Sequence, residues 1–427
     1  MSLPQANERS AAPIAITGIG IVSPLGVGRH ETLEALRARR SGVHAVDGEI
    51  GPWRLGSFVP ASFDEREWVQ PRKSLKLMSH EIRLGVSAAA MALQDAGLAT
   101  TAADPDRLGV VLGTDIMHCP PSELTGTYAG CRHEDGRFDF GLWAGAAVRE
   151  LNPLWMLKYL PNMAASHIAI AHDARGPSNT LVLGDVSSLL AIIEGADIVR
   201  RGRADAVLAG GTGSLRNPTT RLYHGFAHLS RRFETPIVVP RPFDRDRDGT
   251  VCGEGAGIVL LERLDRALER GAPVYATIGG YGRSMKHLPG PDDDRAIRAA
   301  VDGALRAADW SVDSLDHVNA TGRGTRGDDR REALAIRASL GELPVVAPSA
   351  AFGTLGAAGG AVELICSLLA LHAGFRPAGP HVIEPDESCP IRPCNEPVSP
   401  RSGRFVKIGH AWTGQTAAVA LEVPGLG

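Results

Sequence analysis

Residues Arg241–Glu262 read RPFDRDRDGTVCGEGAGIVLLE: a charge-dense segment, then the glycine run Gly253–Gly257, then an apolar, β-branched stretch. The run GEGAG is followed by no Lys-Ser/Thr and lacks GxGxxG spacing, so it does not read as a phosphate loop. It reads as a tight backbone turn between packed strands. Gly257–Glu262 is short and continuously apolar enough for a buried strand.

The same signature recurs on either side. Ile14–Ile21 is followed by the turn Val22–Gly26, and Leu108–Gly113, LGVVLG, and Ala206–Gly211, AVLAGG, also end in glycine. Val274–Gly279, Val318–Ala320 and Phe405–Ile408 complete the predicted strands. Between them lie helical patterns. Ser79–Gly97 carries Ile82, Val86, Ala89, Ala90, Leu93 and Ala96 on one stripe, and Ser187–Gly202 ends in the basic pair Arg200 and Arg201. Asp294–Ala308, Arg330–Leu340 and Gly356–His372 also read as helices. Strands alternating with helices of this length predict a layered α/β protein with mostly parallel pairing. The block recurs in both halves, divided near residues 265–272, so 1–265 and 266–427 form two halves without an obvious sequence repeat. Segments 119–150 and 372–402, rich in Gly, Pro and charge, are expected as long surface excursions.

Bulk composition narrows the function. The 427 residues carry a formal net charge of −3, and the arginines are scattered, which gives no footprint for nucleic acid or an anionic membrane. The polar start MSLPQANERSAAP lacks a signal peptide's apolar core, and no apolar run is long enough to span a bilayer. Six thinly spread cysteines suit a reducing cytoplasm, the expected location. Cys389 and Cys394 have no His or second cysteine pair between them, so no metal site is expected; nor is a cofactor.

Taken together, these residues resemble the β-ketoacyl-[acyl-carrier-protein] synthases of fatty-acid and type II polyketide assembly. Arg241–Glu262 is the most specific match. Ile16–Gly28, ITGIGIVSPLGVG, is similar to the family's first strand and turn; Leu160–Met163 and Gly176–Pro177 resemble the approach to its nucleophile. Val318–Glu332 and Gly356–Glu363 resemble two later site segments. The resemblance covers nearly the whole chain. It implies the thiolase-like five-layered α-β-α-β-α fold built from two similar halves, assembled as a two-fold dimer.

Condensation in that family needs a cysteine thiolate to carry the acyl chain and two histidines to stabilise the enolate. A supporting lysine completes the set. The resemblance places Asp185 at the cysteine, Thr321 at the first histidine, Gly353 at the second and Pro348 at the lysine. No residue is therefore expected to act catalytically in condensation. Asp185 stands where a helix begins, so its plain role is an N-cap. Asp329 and Glu332 still match the family and are expected to keep structural contacts. The gate segment Ala411, Trp412, Thr413 and Gly414 is altered: Thr413 stands for the usual phenylalanine, and Trp412 either narrows the entrance or fills core space, with core filling favoured.

Three functions fit this pattern. The first is a non-condensing, chain-length-factor-like subunit that pairs with an active β-ketoacyl synthase as a heterodimer and shapes the acyl tunnel. Its chain would be carried on an acyl carrier protein. Lys73–Ser79 and Asn152–Asn162 lean towards the polyene-making branch, aryl-polyene systems included. Asn179, Leu181 and Leu183, on the strand before the elbow, are the expected pairing edge, and Asp115, Ile116, Met117 and His118 the expected tunnel floor, with Met117 as a soft stop. The second is altered chemistry, a malonyl decarboxylase or acyl hydrolase using Asp185. The third is a carrier-docking scaffold using Arg200, Arg201, Arg203 or Arg37, Arg39, Arg40.

Overall fold

A computed structural model describes residues 12–46, 54–98, 104–224, 228–232, 239–286, 293–379 and 382–426. The N-terminal half supplies β1 (Ile14–Ser23), β2 (Leu108–Gly113), β3 (Ser178–Leu181), β4 (Ala206–Ser214) and β5 (Glu254–Arg263). The C-terminal half supplies β6 (Ala276–Met285), β7 (His317–Asn319), β8 (Pro344–Val346), β9 (Arg404–His410) and β10 (Gln415–Glu422). From the centre outwards the first half runs β1-β5-β4-β2-β3 and the second β6-β10-β9-β7-β8. The pairing senses match step for step: two antiparallel ladders, then two parallel ones. The duplication invisible in the sequence is therefore plain in the topology. A short antiparallel pairing of β1 with β6, Ile14 opposite Ile278, joins the halves.

Helices fill three layers around these sheets. α1 (His80–Asp95) packs on β1 and β5, and α2 (Met163–His172) on α1 and β2. α4 (Arg295–Ala308) covers β6 and β10, with α5 (Arg326–Leu340) beside it. Between the halves lie α3 (Ser187–Arg200) and α6 (Gly359–His372); α6 is buried from Gly359 to Leu371. A helix apolar all round belongs inside. Its close approach explains the glycine run, because a Cβ on Gly257 would stand 2.8 Å from the Val362 nitrogen. Glu254–Gly257 lie within β5, so the run serves helix packing rather than the expected turn.

Several elements depart from the sequence reading, among them the following. β8 and β10 were not anticipated; QTAAVALE is alanine-rich, and becomes a strand through its ladders to β6 and β9. Helix α2 was also missed. The excursion 119–150 contains two short helices, Thr125–Ala129 and Trp143–Glu150. Among the described residues, no helix is long and apolar enough to cross a membrane.

Candidate functional site

At the end of β3 the chain makes a tight elbow. Gly184 takes a positive φ of 67°, Gly184–Val186 form a 3₁₀ turn, and α3 starts at Ser187. Ser187 braces the elbow: its hydroxyl accepts from Leu183 N at 2.8 Å and donates to Gly184 O at 2.6 Å. Asp185 projects from this turn. It makes no side-chain cap for α3, so the N-cap expectation fails. Its carboxylate instead pairs with Arg323, Oδ2 to Nη2 at 2.7 Å, with both side chains largely buried.

Arg323 arrives from the loop between β7 and α5. Gly322 and Gly324 flank it with φ of 53° and 77°, and this doubly left-handed path turns the side chain towards the elbow. Asp328 stands 3.6 Å away on the other side, and Arg323 also donates to the carbonyl of His410. Arg331 bonds Asp328 at 2.6 Å, which continues the chain of alternating charge. Although burial opposes it, Arg323, His410 and Arg331 hold Asp328 well below the ordinary carboxylate range. Thr325 caps α5, accepting from Asp328 N and donating to its carboxylate.

Glu332 and Asp329 keep structural contacts, as expected. Glu332 accepts from Thr321 N at 2.7 Å and Gly322 N at 2.9 Å, which fixes the loop that carries Arg323. Burial would raise it, but His410 and those two N–H groups hold Glu332 at about 2. Asp329 accepts from Phe243 N and Gly324 N, and burial pushes it up to about 7.

Beneath the elbow lies a cavity of about 20 Å³, room for a single water. Its walls include Asp185, Thr321, Arg323, Ser349, Thr354 and Glu363, and among the residues lining it there is no cysteine and no histidine. At its base Lys407 of β9, fully buried, pairs with Glu363 and donates to Asn319 Oδ1 and Ala320 O at 3.1 Å each. Burial, joined by the charges of Glu332 and Asp185, pushes Glu363 up to about 7 against the pull of Lys407. Asn319 bonds Ser367, whose hydroxyl also meets His317 Nε2 at 3.0 Å, while His317 Nδ1 faces Asp316 at 2.8 Å. That aspartate–histidine–serine series is fully buried, so it braces the core and reaches no substrate.

These segments match two family models: "Beta-ketoacyl synthase, N-terminal domain" over residues 11–267 and "Beta-ketoacyl synthase, C-terminal domain" over residues 275–382. The chain belongs to the β-ketoacyl synthase family. It is 30% identical over 424 residues to the tetracenomycin polyketide synthase ketoacyl synthase alpha subunit of Streptomyces glaucescens, covering 96% of this chain and 97% of that one. It is 31% identical to 3-oxoacyl-[acyl-carrier-protein] synthase 2 of Coxiella burnetii, over 88% of this chain and 90% of the relative. Among solved structures, the ishigamide ketosynthase/chain length factor superposes with a TM-score of 0.85 at 27% identity, over 97% of this chain and 100% of that one. The thiolase-like ketosynthase fold is thereby shown.

Within that family frame, several expected positions move. Gly353 has a φ of 69°, and a Cβ there would lie 2.2 Å from Val251 O, so this backbone admits no imidazole at 353. The side chains that reach the cavity are Thr354 and Ser349; Gly353 offers only backbone, and Pro348 is buried away from the lining. The run Gly356–Gly360, GAAGG, allows the count to be set one residue either way. Thr321 lines the cavity, its hydroxyl donating to Ile408 O at 3.4 Å.

The gate segment makes the turn between β9 and β10, where Gly414 N donates to Ala411 O and Thr413 bonds Gln415. Trp412 is 50% exposed at a cavity rim, so the favoured core-filling role is wrong. Met117 is buried and accepts from Ser79, whereas its neighbour Ile116 is 41% exposed. Leu181 and Leu183 lean into the core; Asn179 faces outward and bonds Glu194, and Val182 is 39% exposed. His118 packs its ring on Tyr223 at 5.5 Å. Sequence reasoning missed Arg323 and Lys407. A single arginine between two glycines in TGRGT was the available signal for the first; a lone lysine inside the apolar strand RFVKIGH was the signal for the second.

Proposed function

We propose that this chain is the non-condensing, chain-length-factor-like subunit of a ketosynthase heterodimer, shaping the partner's acyl tunnel while an acyl carrier protein presents the chain. The observation that carries the reading is the elbow. Asp185 stands at the elbow, where the resemblance puts the nucleophile, with its carboxylate engaged by Arg323 above an inner cavity lined by no thiol or imidazole; His228 lines the outer cavity only. Acyl transfer to a carboxylate would yield a mixed anhydride, higher in energy than the incoming thioester. Hydrolysis or decarboxylation through Asp185 would need a free base, and the ion pair with Arg323 counts against that second reading.

Assembly is supported by the edge. β3 pairs with β2 on one side only and ends the sheet. Past it, Ile116, Val182, Tyr223 and Trp412 surround an apolar hollow of about 120 Å³. The excursion adds Tyr128, Phe138, Phe140 and Val148, all exposed. Such a surface on one chain calls for a partner.

The direct test incubates the chain with acyl-carrier thioesters and reads intact mass. No covalent adduct is expected, and an acyl group on Asp185 would end the non-condensing reading. Asp185→Cys alone should also fail to condense, because Thr321 and Thr354 provide no imidazole. In a reconstituted complex, Ile116→Ala should lengthen the products and Ile116→Trp shorten them, since Ile116 faces the hollow. Met117→Ala should instead lower stability by about 2 kcal/mol or more, as a core truncation does. Unchanged product lengths in both Ile116 variants would remove that residue from chain measurement.

A further inference from the structure

Two cavities meet at the elbow. The inner one reaches Thr321, Ser349 and Glu363; the outer, of about 40 Å³, opens past Leu229, Asp328 and Trp412. Both are bounded by Asp185, Thr250, Arg323 and Thr354, so these four side chains form the partition between them. Arg323 is the longest of the four. Its guanidinium is held on three sides, by Asp185, Asp328 and the His410 carbonyl, and its side chain is only 10% exposed.

We propose that Arg323 is a built-in plug, a second closure of the site independent of the missing thiol. It bars the thioester arm of an acyl carrier from the inner cavity, where Thr321, Ser349 and Glu363 lie, whatever side chain stands at 185. The proposal rests on the reading of this elbow as a retired acyl site. The physical case is one of charge and length. A planar guanidinium with two carboxylates and a carbonyl around it is fixed in direction, and moving it into the mouth would strand Asp185 in a largely buried place. Removing Asp185 alone does not release it, because Asp328 and the His410 carbonyl remain. A change at 185 therefore leaves the passage shut.

The test places a thiol behind the plug and measures its access. Thr321→Cys puts it there, because Thr321 lines only the inner cavity whereas Asp185 borders both. In the otherwise native chain that thiol should react with N-ethylmaleimide within about tenfold of the rate of the buried native Cys366, as thiols shielded from solvent do. It should stay protected when Asp185 alone is replaced by alanine. When Asp185 and Arg323 are both replaced by alanine, labelling at 321 should accelerate on the order of 100-fold, the contrast expected between a shielded and an accessible thiol. Arg331 still bonds Asp328 in that variant, so folding is expected to survive. The readout is the mass of the peptide carrying the new cysteine, with the native cysteines as internal controls. Fast labelling of either single-cysteine variant with Arg323 in place overturns the plug, and so does the lack of acceleration once Arg323 is gone. Condensation by the wild-type chain through some other residue would end the non-condensing reading without altering these rates, so the two failures are distinguishable.

Discussion

Replacing Lys407 by methionine is expected to destabilise the protein by about 3–5 kcal/mol, the range for a buried ion pair that loses one partner. Lys407 is fully buried and holds Glu363, Asn319 and Ala320 together at the floor of the site. Without it, Glu363 has no cation in contact, only the more distant Arg323, and must either carry a poorly compensated charge or take up a proton. Glu363 already titrates near 7, above its ordinary value of 4.5, because burial outweighs the lysine. A carboxyl raised in the folded state contributes stability at acid pH that is lost as pH climbs through its folded value. Withdrawing Lys407 raises Glu363 further, so the deficit of the variant should be smaller at about pH 5.5 and larger at about pH 8. Glu332 works in the opposite sense, held at about 2, and loses its contribution only as pH falls towards that value, so it stays outside this window. Urea midpoints of wild type and Lys407→Met at the two pH values measure the difference. Adding Glu363→Gln should recover most of the alkaline loss. Equal deficits at both pH values would show that Glu363 does not respond to the lysine.

Much of this architecture could be read before any coordinates. Leu108–Gly113 is a strand with the bounds expected of it, and the helices over Ser79–Gly97 and Ser187–Gly202 hold because their apolar stripes are long and their ends punctuated. The strands Pro344–Val346 and Gln415–Glu422 were not legible, because three residues or an alanine-rich run acquire their identity from neighbours far away in sequence. The site shows the same division. The flanking pattern put Asp185 at a strand-to-helix elbow, and a 3₁₀ elbow is there, with Thr321 on the wall of the same cavity. What holds Asp185 could not be read that way: its partner Arg323 is 138 residues away, and only the fold brings them to 2.7 Å. The Lys407–Glu363 pair is likewise made by the packing of β9 against α6. Orientation was the third blind spot. Met117 and Ile116 are adjacent and both apolar, yet one packs in the core and the other faces out, a distinction that hydropathy does not carry. Trp412 was misplaced inside for the same reason: aromatic size favours burial, but a tight turn between two strands left this ring at the rim.

Replacing Val182 by aspartate is expected to weaken association with a cysteine-bearing ketosynthase on the order of 100-fold, or about 2.7 kcal/mol, while leaving the isolated fold intact. Val182 directly follows β3, the strand that ends the sheet, and it shares the apolar hollow with Ile116, Tyr223 and Trp412. Its exposure means that aspartate costs little in the free chain, where water solvates the new charge. In a complex that covers the hollow, the same carboxylate is stripped of water beside apolar side chains and a second carboxylate, Asp115, with no cation lining the hollow. Breaking a desolvated interface in this way falls mainly on the dissociation rate. Leu181→Asp is the contrasting variant: its side chain packs on the core, so it should lower the stability of the chain itself rather than act only on assembly. Asn179→Lys sits on the outward side of the same strand, where its partner is Glu194, and should have the mildest effect of the three. Co-purification with the ketosynthase followed by analytical ultracentrifugation separates these outcomes, with circular dichroism to confirm the fold of each variant. If Val182→Asp assembles with wild-type affinity, the hollow lies outside the contact and the partner docks elsewhere. If it fails to assemble and product formation falls in proportion, the apolar edge beyond β3 is where this chain meets the ketosynthase.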